Sequence, residues 1–556
     1  MSLKSIYPIC LLLLCPVLGH TQSWKLAQNL GVPNSNTTIA AIRPYIEGTV
    51  LVSGSFAAAT LPLGNNTLQN AGQDDGYVAV VDTNGQYLWA ARFGGADRDA
   101  VVSAAAAPDG SIAVAGHFNS LSLTIGNTNL LGSGELDGFV VRYNTDKTIA
   151  WVKKIGSPNI DDITGVVADA NGNTYVCGYV RDKLTLSTLF TFVRKYDASG
   201  NQLWEQKGTM EGGGIMAANA LALGDDQDVY MAGWLWGTAN FGALQLQNDT
   251  SYGAFLLRYN PSGTLVNHHL NGSLDKFNDI QIRDNHLYTC AEKVNGTFGW
   301  GWPLSDSKLH VLKMDTGFNT LWHKTAGGEN QGQSLDLAKS ISVDDLGNVY
   351  ITGSYFSDTL HFAGQSFPNP FHINYFYPQI FVCKYSSSGD ELWARAIGHV
   401  LSEEGTAILA FGEDRFFLGG MFESNPIQFG PHSLYNNSTL DSMYVHLSPS
   451  RYVRKTMGFL AISNKDTSSL PWEPQPLQIL LYPNPVSDHI TFQLTSPVAG
   501  PVTIQIYATD GRLLQQTTHP VVNSLIQENV PAWPRGVYWV KLSTEKAAFS
   551  GKFVKE

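Results

Sequence analysis

Short runs in which apolar and polar residues alternate fill the chain from about residue 22 onward, and they read as strands separated by turns. Four phrases recur in a fixed order. The first is a strand of small apolar residues, as in Val101 to Ala107 or Ile341 to Val343. The second ends on a small residue followed by glycine: Leu51-Val-Ser-Gly54, Ala113-Val-Ala-Gly116, Tyr175-Val-Cys-Gly178, Tyr230-Met-Ala-Gly233, Tyr350-Ile-Thr-Gly353 and Phe417-Leu-Gly-Gly420. The third is aromatic and β-branched, as in Asp75 to Val81 and Asp137 to Tyr143. The fourth centres on a tryptophan: Trp89, Trp151, Trp204, Trp322 and Trp393.

Turn chemistry stands between the phrases. Asp82-Thr-Asn-Gly85, Asp197-Ala-Ser-Gly200 and Asn260-Pro-Ser-Gly263 precede the fourth phrase; Asp169-Ala-Asn-Gly172 and Asp344-Asp-Leu-Gly347 precede the second. Glycine supplies the positive φ, and the Asp or Asn side chain caps its own turn. Four strands joined by hairpins form one antiparallel sheet, which cannot bury both faces alone; radial stacking lets each sheet cover the next. The second phrase occurs six times with its glycine, and His286-Leu-Tyr-Thr-Cys290 reads as a seventh copy with cysteine in the glycine slot. The expectation is therefore an all-β chain with a seven-bladed β-propeller over residues 22–463, six or eight blades being the other counts. Val266 and Val453 stand for the tryptophan in two degenerate copies. Trp24 begins a surplus fourth phrase, read as completing the last blade or else as a loose N-terminal strand.

The phrase order resembles the bacterial seven-bladed β-propeller (SBBP) repeat family, best over 96–157 and 329–399 and least over 274–328 and 400–462. That resemblance implies a propeller and no particular activity.

Residues 464–476 contain three prolines and little apolar periodicity, and read as a linker. Beyond them a new strand series runs from Leu477 to the C-terminus, the pattern of a small, immunoglobulin-like β-sandwich. Tyr482-Pro483-Asn484-Pro485, Asp510-Gly511-Arg512 with Leu513, Gly536-Val537-Tyr538 and Lys552-Phe553-Val554-Lys555 occur there in order. Segment 477–556 closely resembles the type A C-terminal sorting domain of the type IX secretion system. The loop Pro531 to Arg535 is longer than usual for that family. The resemblance implies export across the outer membrane, with the translocon and its sorting machinery as partners, and a product released or attached at the cell surface.

The N-terminus agrees with export. One lysine, an apolar stretch from Ile6 to Leu18 and a small-residue exit predict a signal peptide over 1–21. Cys15 follows leucines rather than the small residues that a lipid-attachment site needs. No later stretch is long and apolar enough to span a membrane in the mature chain. A net charge of −12 without any Lys or Arg run argues against a nucleic-acid or anionic-membrane surface. Cys177, Cys290 and Cys383 each lie in an apolar strand and read as buried small hydrophobes, with no disulfide framework or metal site expected.

No catalytic residue and no cofactor is assigned from the sequence. The Asp-x-x-Gly segments are too short for calcium loops. In the acidic pairs Asp161-Asp162, Asp225-Asp226, Asp344-Asp345 and Glu403-Glu404, neighbours on a strand point to opposite faces. His268-His269 is a lone doublet, of which one ring should face out. The repeating tryptophans read as packing between blades. Trp234, Trp236, Trp300 and Trp302 do not repeat; they lie in Gly-rich segments of consecutive blades, near an aromatic insertion from Phe367 to Tyr377, and are the candidate ligand-binding residues. The expected function is a non-catalytic exported module that binds a glycan or a surface protein. The alternatives are a polysaccharide-acting hydrolase or lyase, which needs histidines or carboxylates converging on the central channel, and a purely structural surface protein.

Overall fold

The computed structural model describes residues 23–46, 48–294, 307–328, 336–369, 377–399, 401–412, 415–439, 441–443, 451–453, 455–464, 475–476, 479–482, 485–494, 502–508, 512–519, 525–530, 533–543 and 547–556. The predicted signal peptide, most of the linker and of the aromatic insertion, and Trp300, Trp302, Pro483, Asn484, Asp510 and Gly511 lie outside these. Every regular element among the described residues is a strand. The chain divides into two compact units, Met1–Asp466 and Thr467–Glu556.

The first unit is built of antiparallel four-strand meanders. Their leading strands are β1 (Thr37–Pro44), β2 (Asp99–Ala106), β3 (Ile160–Ala168), β4 (Gln202–Leu223), β5 (Lys276–Arg283), β6 (Leu337–Val343) and β7 (Glu403–Phe411). The meander led by β2 continues through Ile112–Phe118, Asp137–Tyr143 and Ile149–Ile155, and the others follow the same plan. The long β4 serves twice: its first part is the outer strand of the β3 meander and its second part leads the next. Each leading strand packs against the one before and the one after it, and β1 packs against both β2 and β7.

Why these segments turn where they do is visible in the hairpins. Asp82 Oδ1 accepts the Asn84 amide at 2.8 Å, and Asp169 and Asp197 repeat the bond with Asn171 and Ser199, each at 2.9 Å. The glycine that closes the turn has another task. Trp151 Nε1 donates to Ala198 O at 3.0 Å and Trp204 Nε1 to Pro261 O at 3.0 Å, in the turn of the next meander. A Cβ on Gly200 (φ 82°) or Gly263 (φ 85°) would stand 2.8 or 2.7 Å from the indole. The turn glycine is thus both the left-handed residue and the seat of the neighbouring tryptophan.

Strand register corrects three sequence readings. Cys290 does not hold the glycine slot: Ala291 faces Phe277 as Gly116 faces Val101, and Cys290 lies beside the bulge as Cys177 does. Val266 does not replace the tryptophan: Asn267 pairs with Arg258 as Trp151 pairs with Arg142, and Val266 takes the exposed position held by Leu88 elsewhere. Val453 lies in a separate two-stranded ladder with Asp441, while Met457–Ser463 is the third strand of the β7 meander. The fourth strand there is Trp24–Leu30, paired antiparallel with Met457–Ser463. Val266 sits at a one-residue bulge opposite Arg258 and Tyr259, and Cys290 faces a bulge in its partner strand, features invisible in the alternation of apolar residues. Cys177, Cys290 and Cys383 are buried and free.

In the second unit, Gln475–Pro476, Ala547–Lys555, Gly536–Ser543, Val502–Tyr507 and Leu513–His519 form one sheet, and Ile479–Tyr482, His489–Leu494 and Leu525–Asn529 a second. Alternate residues such as Ile504, Ile506, Phe492, Val540 and Phe553 enter a common core.

Candidate functional site

Every leading strand carries a register shift at the same place. The extra residue is Ala40, Val102, Thr164, Asn219, Asn278, Lys339 or Thr406, and a bulge re-aims a side chain away from the sheet's own alternation. All of these residues line one cavity of about 140 Å³. Across it Arg43 of β1 reaches Asp279 of β5 at 3.5 Å, and Asp279 also accepts from Ser340 Oγ at 3.0 Å.

Several of the same residues also line a larger cavity of about 640 Å³. Its wall is completed by residues at one position of neighbouring second strands, one past the repeat glycine or its equivalent, and by some of their cross-strand partners. The slot holds His117 opposite Ala100, Tyr179 opposite Asp162, Trp234 opposite Ala217 and Glu292 opposite Lys276. His117, Asp162, Trp234, Lys276 and Glu292 all line the cavity.

Three contacts organise this wall. His117 Nδ1 lies 3.0 Å from Asp162 Oδ1, which joins two neighbouring meanders, and Tyr179 donates to Asp162 Oδ2 at 2.8 Å. Burial alone would raise the Asp162 carboxyl, but its bonds to His117 and Tyr179 and the charge of Arg181 outweigh that and hold it below the usual carboxylate range. The Tyr179 hydroxyl is pushed up, by burial first and then by Asp162. Lys276 Nζ pairs with Glu292 Oε1 at 3.1 Å and stands 5.4 Å from the Trp234 ring centroid, a cation–π contact. Lys339 pairs with Glu404.

The tryptophans named from sequence separate here. Trp234 is half-buried on the cavity wall, edge-on to Tyr252 at 5.4 Å. Trp236 is 46% exposed and donates from Nε1 to Asp249 O at 3.3 Å. His117, Lys276 and Glu292 escaped the sequence reading, and Asp162 entered it only within an acidic doublet set aside as a site. The signal for His117 was a non-repeating residue beside a repeating glycine; Glu292 follows Ala291 in the same slot, and Asp162 and Lys276 lie on leading strands without that mark. Of the acidic doublets, Asp161 accepts from Ser157 N at 2.8 Å in the scaffold while Asp162 faces the cavity, so opposite faces separate structural from site carboxylate. Of the histidine doublet, His268 is exposed and His269 is partly buried.

In the second unit, Tyr538 is buried against Phe553 and Trp533, with ring centroids at 5.7 and 5.2 Å, and donates to Pro534 O at 2.6 Å. The long loop before Gly536 thus packs over the tyrosine. Lys555 is nearly buried opposite Gly536, whereas Pro485, Arg512 and Lys552 are exposed.

Residues 480–556 match the secretion system C-terminal sorting domain family. This tail marks the chain for secretion or cell-surface attachment and for handling by the type IX secretion machinery. Among the described residues no helix is long and apolar enough to cross a membrane. Two curated relatives match over part of the chain. An uncharacterized WD repeat-containing protein of Acanthamoeba polyphaga mimivirus is 26% identical over 27% of this chain, and regulatory protein FlaEY of Caulobacter vibrioides is 30% identical over 20%. The matches span only 13% and 12% of those relatives' own lengths. Among solved structures, an ulvan lyase bound to a GlcA(1-4)Rha3S saccharide is 9% identical, covering 71% of this chain and 93% of that one at a TM-score of 0.41. A quinoprotein alcohol dehydrogenase-like protein of Bacteroides thetaiotaomicron is 10% identical, with 66% and 67% coverage and a TM-score of 0.33. The endosialidase of phage phi92 is 9% identical, with 95% and 87% coverage and a TM-score of 0.35. Likeness at this level transfers neither activity nor substrate.

Proposed function

We propose that the chain is an exported seven-bladed β-propeller, delivered by an N-terminal signal peptide and the C-terminal sorting domain, that binds a glycan in the cavity bordered by β2 to β6. The cyclic order of contacts from β1 through β7 and back to β1 supports the blade count, with Trp24–Leu30 completing the last blade. Residues 22–463 are the propeller, 464–476 the linker and 477–556 an immunoglobulin-like sorting domain.

The observation that carries the binding reading is the setting of Trp234. An indole face, amides of Asn219 and Asn278, and the charged groups of Lys276, Glu292 and Asp162 share one concave wall of saccharide size. Sugars present an apolar face and a fringe of hydroxyls, and this wall offers a partner for each. Titration of the purified full-length chain against a glycan library, beside the Trp234→Ala variant, tests the reading. Saturable binding weakened by the substitution is expected; unchanged affinity in the variant contradicts it.

A second reading, an enzyme acting on polysaccharide at the same face, is favoured by one specific observation, the His117–Asp162 pair on the cavity wall.

A further inference from the structure

We infer that His117 and Asp162 form a general-base pair that cleaves a 4-linked hexuronate polymer by β-elimination in the larger cavity. The inference rests on the glycan-binding reading and deepens it. The imidazole is fixed through Nδ1 to Asp162, and its Nε2 has no hydrogen-bond partner among the described residues. The side chain is 26% exposed and lines the cavity, so Nε2 is open to a bound molecule. Asp162 is in turn held by Tyr179, which fixes the carboxylate that orients the ring. A histidine oriented by a carboxylate, with the other nitrogen open to the ligand, is the geometry of a general base.

The surrounding groups choose the reaction. Glycoside hydrolysis by two carboxyl groups needs one as acid and the other as base or nucleophile across the bond. In this cavity Asp162 is engaged by His117 and Tyr179, and Glu292 by Lys276. A single base with ammonium groups nearby suits instead the removal of a proton from carbon next to a carboxylate. In a 4-linked hexuronate that proton is on C5. Lys276 and Lys339 line the same cavity; each is paired with a carboxylate, Glu292 or Glu404, and must exchange that partner for the uronate carboxylate to balance charge as it builds there.

The step balances without a further reactant. His117 Nε2 takes the C5 proton, the C5–H electron pair becomes the C4=C5 double bond, and the C4–O4 bond breaks with its electrons on O4. The proton passes from the imidazolium to O4, which leaves a free hydroxyl on one fragment, a 4,5-unsaturated uronate on the other, and the neutral imidazole. Asp162 acts through His117 and is a positioning residue. Trp234 provides a surface for a sugar ring beside the reacting one.

The test incubates the full-length chain with glucuronan and mannuronate-rich alginate, whose C5–H and C4–O4 lie on one face of the ring within reach of a single imidazole, following the ultraviolet absorbance of the conjugated uronate and, in parallel, binding of each polymer. With a polymer that binds, absorbance is expected to rise, and H117Q to slow it at least about 100-fold with binding retained. D162N is expected to lower kcat with little change in KM. H117N serves as the second substitution, and unchanged thermal melting shows that the variants fold. Binding without any absorbance change, or elimination unimpaired in both His117 variants, overturns the inference and leaves the binding reading standing. No binding to any glycan overturns the binding reading with it.

Discussion

The meanders led by β2 to β5 and those led by β1, β6 and β7 share one strand plan and differ at one position. One residue past the repeat glycine, or its equivalent Ala291, the first group carries His117, Tyr179, Trp234 and Glu292, and the second carries Ser55, Ser354 and Met421. Their cross-strand partners add to the contrast in two cases, Asp162 and Lys276, while Ala100 and Ala217 complete the first group and Thr38 and Leu337 stand in the second. Glu404, opposite Met421, is an exception, and it is tied to Lys339. A small residue that lets strands approach closely recurs at this slot, glycine in six meanders and Ala291 in the β5 meander. A Cβ on Gly116 or Gly178 would stand 2.1 Å from a carbonyl oxygen of the leading strand. The next side chain does not repeat, and in His117, Trp234 and Glu292 it lines the cavity.

That contrast can be broken most severely at the scaffold. Trp151→Ala removes an indole that packs on Tyr196 and the Gly200 turn, and is expected to cost about 3 kcal/mol, read by chemical denaturation. Asp161→Ala frees Ser157 N and Oγ from their shared acceptor and is expected to cost about 2 kcal/mol, while D162N one residue later leaves the melting midpoint nearly unchanged. Glu403, next to the Glu404 that pairs with Lys339, is fully buried, and burial pushes its carboxyl up to about 8 from 4.5. A raised carboxyl binds its proton more tightly in the folded state, so its stabilising contribution is complete below 4.5 and is lost as pH rises through about 8. Stability of E403Q should fall less steeply across that window in denaturation curves. Trp234→Ala is expected to weaken glycan binding about 10-fold with little effect on melting. The smallest effects belong to the other arc: Ser354→Ala and Met421→Ala should keep affinity within about twofold. A loss equal to that of Trp234→Ala would erase the distinction between the two arcs.

How legible was this in the sequence? Turns such as Asp169 to Gly172 could be read directly, because side-chain cap and glycine are local and lie within four residues. The sorting tail was equally clear, its motifs standing in order over a short segment. The wall of the cavity was not. His117 and Asp162 are 45 residues apart on different meanders, and only the lateral packing of β2 and β3 brings them together. The bulge residues were hidden for a related reason: a register shift leaves the apolar alternation almost intact while turning Asn219 or Lys339 toward the cavity. The leading-strand bulge at Asn278 lies opposite Cys290, and a separate bulge between Arg258 and Tyr259 displaced Val266. Trp234 was visible only as a tryptophan out of step with the repeat, which marks a residue released from packing without saying what it faces.

The central claim is that ligand chemistry is confined to the arc of β2 to β6. Amide hydrogen exchange of the full-length chain, with and without a glycan that binds, tests it most directly. The account predicts added protection in peptides covering 115–118, 160–164, 232–236 and 276–279, with 53–56 and 419–422 unchanged. Protection spread evenly over all second strands, or confined to the outer hairpins or the sorting tail, would contradict it.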